Sequence, residues 1–410
     1  MPRTWNYGWV IVAVGVLVKM AALGFGRFTY PMLIPSMKSS LGLQYVQMGF
    51  LSGSILLGYL LFSFIGGALA TRLGSKKVVV ASLLCSAGSM FGVARSSQFG
   101  FLLFFTFGLG AGAAGGHIAM TTLPMAWFDR QTLGRALGIV TGGTGVGVIA
   151  AGLLVPPFLL DPQGEGWRLC WRLMGLLTLG VATVGMVLLR EKPKKPTPLS
   201  SHEKGKKPPL VSKPVQRPLS LRVILPAYFV FGIAYNIYAT YFVAFMVGDL
   251  GVAEKTAGLI WSLFGWMSLV SGLIWGYLSD RVGRRHALIL NNALISTALF
   301  LPLCYHAFYV LALSSFLFGL TFLGTVTIIA AIVGDQTSGR EATVYGLVTL
   351  VHGLGQFLGT TAGGYLRDST GSFTLTLLVS QGGFLFCLAL VALAPVLSSL
   401  RGRTTSEKGA

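Results

Sequence analysis

Two cations, Lys19 and Arg27, stand inside the apolar run 8–35 near the start of the chain. A guanidinium at membrane depth costs about 2.5–3.5 kcal/mol and is normally turned toward a bundle interior. There its planar fork suits bidentate binding of a carboxylate. The competing reading is that Arg27 lies near a helix end and snorkels to the headgroups. Eight residues at 100° each bring Lys19 to about 80° from Arg27 around a helix, so the two need not face one cavity. Lys19 is equally a second anion contact or a partner for helix-end carbonyls.

His117 and His352 fall in later apolar stretches. A buried imidazole there is either a neutral hydrogen-bonded residue or a proton carrier. Thr349, His352 and Gln356 share one helical face, a polar stripe in an apolar span. Tyr235, Tyr238 and Tyr241 form a rough stripe with Asn236 beside it; such stripes usually pack, but their hydroxyls also suit a carboxylate. With Tyr30, the counterpart of Tyr238 under the duplication described below, the candidate substrate site is Lys19, Arg27, Tyr30, His117, Tyr235, Asn236, Tyr238, His352 and Gln356.

Acids inform by their positions. All 12 Asp and Glu fall in predicted loops, tails or helix ends, leaving none at mid-membrane to bind an organic cation. That favours an anionic substrate. Gly108-Leu109-Gly110-Ala111-Gly112-Ala113 imitates a dinucleotide fingerprint but has no strand before it, and it reads, like the 142–147 cluster, as close helix contact. Cys85, Cys170, Cys304 and Cys387 lack paired spacing, and no nucleophile–His–acid arrangement stands out. Neither an enzyme nor a cofactor or metal is expected.

The elements that must position these residues are membrane helices. With 53% hydrophobic and 10% charged residues among 410, a water-soluble surface cannot be assembled. Apolar runs long enough to cross about 30 Å of hydrocarbon recur along the chain. They predict twelve spans: 8–35, 46–70, 78–94, 99–127, 135–158 and 169–189, then 221–247, 257–278, 287–304, 307–333, 342–365 and 373–400. The first is too long for a signal-peptide core and reads as a retained anchor.

A basic turn between apolar stretches occurs twice, 209 residues apart: Gly67-Ala68-Leu69-Ala70-Thr71-Arg72-Leu73-Gly74-Ser75-Lys76-Lys77 and Gly276-Tyr277-Leu278-Ser279-Asp280-Arg281-Val282-Gly283-Arg284-Arg285-His286. The chain is therefore a duplicated bundle, a design that puts the substrate between the halves. A shift of 208 superposes Tyr30 on Tyr238 and pairs Arg27 with Tyr235 and His117 with Thr325. Expected units are a bundle over 1–189, a basic linker 190–220, a second bundle 221–400 and a tail 401–410.

Both turns resemble the signature loop of the major facilitator superfamily, Gly-x-Leu-Ala-Asp-Arg-x-Gly-Arg-Lys. Asn6-Tyr7-Gly8-Trp9-Val10-Ile11-Val12 resembles the opening of its oxalate/formate and monocarboxylate porter branch. Gly24-Phe25-Gly26-Arg27-Phe28-Thr29-Tyr30, with Leu56-Leu57-Gly58-Tyr59-Leu60, is more similar to the bacterial YbfB/YjiJ-type branch. The resemblance implies an all-α fold of twelve transmembrane helices in two parallel, pseudo-symmetric six-helix bundles. It also implies a central cavity lined by the first helix and an inner gate at the two turns, through Arg72, Asp280, Arg281 and Arg284. The sequence departs from the pattern at Thr71, where the acidic residue is missing, and in 257–278, which lacks the Arg usual in the eighth helix of monocarboxylate porters.

The formal charge of +19 does not require a nucleic-acid partner, because 23 of the 31 Lys and Arg fall in alternate loops and tails and six in the others. This positive-inside bias places both termini and the linker in the cytoplasm, at a membrane expected to be a bacterial inner membrane. The linker reads as tether and topology signal, or as a contact for anionic lipid. Cysteines introduced at Ser201 and Ser406 should resist an impermeant thiol reagent in intact cells. Labelling of either from outside would reverse the orientation.

The function these features suggest is secondary transport of a small organic anion, a monocarboxylate first, by a monomer. Export of a neutral or amphipathic compound and a transport-dead sensor are the alternatives. Inward movement of a monoanion against an interior-negative potential costs about 2.3 kcal/mol per 100 mV, which a co-transported proton would offset.

Overall fold

The computed structural model describes residues 7–161, 164–191, 219–336 and 341–406; most of the expected linker and the last residues of the tail lie outside them. Among the described residues the chain is all α-helical, with no strand. The first six long helices are α1 (Gly8–Leu41), α2 (Tyr45–Leu73), α3 (Ser75–Arg95), α4 (Phe99–Trp127), α5 (Arg130–Leu154) and α6 (Gly166–Leu188). The second six are α7 (Leu221–Gly248), α8 (Glu254–Val282), α9 (Arg284–Cys304), α10 (Phe308–Gln336), α11 (Glu341–Thr370) and α12 (Thr374–Ser406).

Eleven of the twelve carry a stretch long and apolar enough to cross a membrane. The other, α11, is long enough at 30 residues but too polar, because Thr349, His352, Gln356, Thr360 and Thr361 interrupt its apolar run. Its polar face is turned inward, where His352, Gln356 and Thr360 are buried.

Helix α1 departs from the predicted span in two ways. It continues past Pro35 to Leu41 and ends at Gly42, whose φ of 63° is accessible to glycine at little cost. In its middle, Met20–Phe28 is π-helical, a wide turn with an i→i+5 pattern that is rare and associated with functional sites. Helix α12 also overruns its expected end, through the first residues of the tail to Ser406.

The duplication is structural. Gly74 ends α2 with a φ of 96° and Gly283 ends α8 with a φ of 90°, so the same left-handed step closes both copies of the basic turn. Helix neighbours repeat as well: α2–α4, α3–α4, α3–α6 and α1–α5 recur as α8–α10, α9–α10, α9–α12 and α7–α11. The halves meet along α2–α11 and α5–α8, which are themselves equivalent pairs.

Without a hydrophobic drive between helices in lipid, such contacts depend on close van der Waals approach, which small residues permit. Gly147 on α5 lies against Gly24 on α1, where an added Cβ would come 2.6 Å from the Gly24 Cα. Gly110 on α4 similarly faces the Ile55 carbonyl of α2, as expected of the glycine-rich stretch that imitates a nucleotide loop.

Candidate functional site

A cavity of about 460 Å³ opens between the halves. It is lined from α1 by Leu23, Arg27 and Phe28, from α2 by the 56–64 face, from α4 by His117, and from α5 by Thr141 and Thr144. The second half contributes Tyr228, Phe231 and Tyr235 of α7, Ser268 of α8, Phe322 of α10, and Tyr345, Thr349, His352 and Gln356 of α11. These positions run from mid-helix toward the end carrying the basic turns.

The opposite end is closed by protein. The Asp368 carboxylate on α11 accepts from the Tyr45 and Val46 backbone N–H groups at 3.0 and 2.7 Å, capping the N-terminus of α2 across the halves. Arg367 pairs with Asp249 at 3.1 Å, and Asp249 in turn accepts from the Phe373 N–H. Trp261 Nε1 of α8 donates to the Phe28 carbonyl at 3.4 Å.

Arg27 is half-buried at the head of the cavity. Its Nη2 donates to Gln356 Oε1 at 3.2 Å, and its guanidinium lies 5.5 Å from the centre of the Tyr59 ring, within cation–π range. The network continues along α11: Gln356 Nε2 lies 3.1 Å from His352 Nε2, and His352 Nδ1 lies 3.2 Å from the Tyr228 carbonyl. A carbonyl only accepts, so Nδ1 bears the hydrogen and Nε2 accepts from the Gln356 amide. That order describes a neutral imidazole, stacked on Tyr228 with ring centres 4.1 Å apart. The chain Arg27→Gln356→His352→Tyr228 leaves part of the guanidinium facing open space.

Tyr235 is 3% exposed, lines the cavity and has no hydrogen-bond partner for its hydroxyl. An orphaned buried hydroxyl is costly unless something arrives to satisfy it. It is also the residue paired with Arg27 by the duplication, so equivalent positions on α1 and α7 line one space.

Other candidates point elsewhere. Asn236 faces a pocket of about 20 Å³, room for about one water, on the closed side of Arg27 with Tyr30, Ser52 and Thr240. Its Nδ2 donates to the Gln356 carbonyl. The Tyr30 hydroxyl is used by the Met48 carbonyl at 2.8 Å, and Tyr238 is hydrogen-bonded to Ser314 at 2.6 Å and stacked against Phe242, away from the cavity. The expected tyrosine stripe is thus split, because consecutive turns of α7 face the cavity, the α10 contact and the α11 contact.

Lys19 does not line the cavity. It is 1% exposed and its Nζ lies 2.8 Å from His117 Nδ1, 2.9 Å from the His117 carbonyl and 2.9 Å from Thr121 Oγ1. His117 does line it, 6.3 Å from the Tyr59 ring. Tyr59 and Tyr228 are the principal lining residues absent from the sequence-based candidates. Tyr59 stands within the Gly58-Tyr59 motif that carried the family resemblance, whereas an aromatic such as Tyr228 has no signal of its own.

At the basic end, Asp280 is bound by Arg284, Nη1 to Oδ1 at 2.7 Å. Arg284 also reaches Asp335 of α10 at 2.9 Å and Ser279 at 2.8 Å, tying α8, α9 and α10 together. Arg281 lies over the Tyr277 ring. In the first half, where Thr71 replaces the acid and Arg72 is exposed, the carboxylate comes from Glu191 beyond α6, which accepts from the Lys76 N–H at 3.0 Å. An acidic partner is therefore present in both halves, contrary to expectation from the signature alone.

Several known proteins are similar. A hexuronate transporter of Bacillus subtilis is 25% identical over 85% of this chain and 85% of its own length. A probable sulfoacetate transporter of Cupriavidus necator is 24% identical over 93% and 92%, and monocarboxylate transporter 12-B of Danio rerio is 25% identical over 95% and 89%. The crystal structure of a bacterial homologue of the human lysosomal transporter Spinster, in an inward-facing and occupied conformation, superposes with a TM-score of 0.75 at 16% identity, covering 95% of this chain and 97% of that one. Residues 19–392 match the family described as uncharacterised MFS-type transporter YbfB, so the duplicated turns, the paired bundles and the central cavity are those of a major facilitator transporter, and the chain belongs to that family.

Proposed function

We propose that the protein moves a small organic anion, a monocarboxylate in the first instance, by alternating access, as a monomer in a bacterial inner membrane. Arg27 carries this reading: a lone guanidinium at the head of the cavity, with no carboxylate among the described lining residues to neutralise it. The anionic group would take the free side of the guanidinium, with the Tyr235 hydroxyl as second donor and the Gln356–His352 pair holding the guanidinium in place. The aromatic lining suits an apolar substrate body. Relatives named for hexuronate, sulfoacetate and monocarboxylates support the anionic class.

The halves 1–189 and 221–400 act as the two rocking bodies, joined by a cytoplasmic basic linker 190–220. With the basic end inside, the open cavity is the inward-facing state. Uptake of radiolabelled glucuronate, sulfoacetate and lactate into proteoliposomes tests the reading. Transport of at least one with saturable kinetics is expected; preference for an organic cation would overturn it.

The Arg284 clip makes a separate expectation for the gate. Its two carboxylates, Asp280 and Asp335, are 58% and 57% exposed, so each pair alone is worth at most about 1 kcal/mol. Asp280→Asn should therefore slow turnover mildly, because Asp335 still holds Arg284. Arg284→Ala, which releases all three helices, should slow it several-fold more. Turnover of the two variants in the same vesicles decides, and equal rates would remove the clip from gating.

A further inference from the structure

The mechanism above makes no use of Lys19, yet this ammonium is buried to 1% exposure with three acceptors arranged for its three hydrogens. No carboxylate is among those partners. A purely structural lysine could be satisfied by the His117 carbonyl and Thr121 Oγ1, with any acceptor as the third. Here the third is a titratable ring nitrogen, His117 Nδ1 at 2.8 Å, and the same ring lines the substrate cavity. A single residue thus links a sealed cation to the space where an anion is expected.

We infer that the Lys19–His117 pair is the site of the coupled proton, loaded together with the anion and released with it; this rests on the anion-transport reading. In the empty cavity the two bases share one positive charge: the Lys19 ammonium donates to the Nδ1 lone pair, and the ring keeps its hydrogen on Nε2. A proton from cavity water bonds to Nδ1, breaking the Nζ–H···Nδ1 hydrogen bond and leaving an imidazolium beside an ammonium. Two cations at that spacing, with Arg27 nearby, repel strongly at membrane depth. An anion in the cavity compensates the added charge and accepts an imidazolium N–H, so proton and anion are held together. When the anion leaves, the Nδ1 proton returns to water and the original hydrogen bond re-forms.

The surroundings leave this role to the pair. The ionisable groups facing it are Arg27 of α1, Tyr59 of α2 and, across the cavity, Tyr345 and His352 of α11. Helices α3, α5 and α6, also against α1, carry their charged residues at the helix ends. His352 is committed through both nitrogens, to the Tyr228 carbonyl and to Gln356. Protonating it would turn an N–H against the Gln356 amide that also serves Arg27.

The test uses the full chain in proteoliposomes with an internal pH dye, with glucuronate, sulfoacetate and lactate as probes. For a transported probe, the parent should take up one proton per anion, and uptake should be several-fold faster at external pH 6 than at pH 8. Lys19→Gln removes the ammonium that drives the proton off Nδ1 when the anion leaves, so the ring should stay protonated. Both the proton flux and the pH dependence should then be lost, while exchange of labelled for unlabelled probe persists because Lys19 does not reach the cavity. His117→Asn should also lose the proton flux, and it decides the matter if Lys19→Gln does not fold. Retention of one proton per anion in either folded variant overturns the inference, as does loss of exchange together with net uptake in Lys19→Gln, which would make the pair scaffolding. A parent that moves a probe without protons overturns the inference and leaves anion transport standing. A parent that moves none of the three probes removes both.

Discussion

Arg27→Gln is expected to abolish binding of the carboxylate probes to the purified protein, and Arg27→Lys to restore only part of it. Removing one member of a buried charge pair typically costs about 2–5 kcal/mol, which is roughly 30-fold to a few thousand-fold in affinity. The residue is held at its post by Gln356, itself held by His352, so little reorganisation is needed when an anion arrives. Lysine keeps the charge but offers a point donor in place of a planar fork. Stability should move the other way: with no carboxylate beside it, the guanidinium is a strained occupant of an empty cavity, and Arg27→Gln should melt at or above the parent temperature. Calorimetric binding at pH 6 and pH 8, with melting curves on the same samples, separates the two effects. A variant that binds as tightly as the parent sinks the assignment of Arg27.

The second large effect is expected far from any charge. On the closed side, Gly364 of α11 lies against α2 so tightly that an added Cβ would collide with the Tyr45 carbonyl and come 2.8 Å from the Tyr241 hydroxyl. A backbone oxygen cannot rotate away. Gly364→Val is relieved only by parting α2 from α11, which is the motion that opens this end. Overpacking of this kind costs about 1–3 kcal/mol, and charged to one state alone it shifts the two-state ratio by roughly 5- to 150-fold. Thr240, 3% exposed beside the small pocket above Arg27, reports the change. A Thr240→Cys substitution in a background without native cysteines should be protected from a thiol reagent applied at the closed side, and labelled once Gly364→Val is added. Gly382→Val on α12, where a Cβ meets open space, is the control. Equal labelling of all three proteins would show that this crossing does not hold the seal.

Twelve helices, their duplication and the basic turns could be read from apolar runs and one repeated motif, because membrane depth fixes span length and a glycine at positive φ marks each turn. Even the polar α11 was legible, as an apolar run over 342–365 interrupted by the Thr349–His352–Gln356 stripe. Arg27, His352 and Gln356 could be nominated because a polar group at membrane depth is expensive wherever it points. Direction is what the periodicity did not carry. Helical geometry sets Lys19 apart from Arg27 but says nothing of a histidine 98 residues away, and Tyr238 shares a stripe with Tyr235 while facing a different neighbour. The Glu191 cap and the Asp368 cap are equally long-range, each a carboxylate reaching the first turn of a helix elsewhere in the chain.

The wide turn of α1 has a mechanical meaning. Before Met20 the helix lies against α4, α5 and α6 of its own half; after Phe28 its last turns also lie against α7 of the other. Lys19 is keyed to α4 at one edge of the loosened segment and Arg27 to α11 at the other. A regular helix in that position would transmit twist rigidly from one half to the other. A π-helical stretch departs from that regular i→i+4 ladder, so α1 is expected to turn as a swivel whose joint carries Arg27, the cation proposed to grip the cargo.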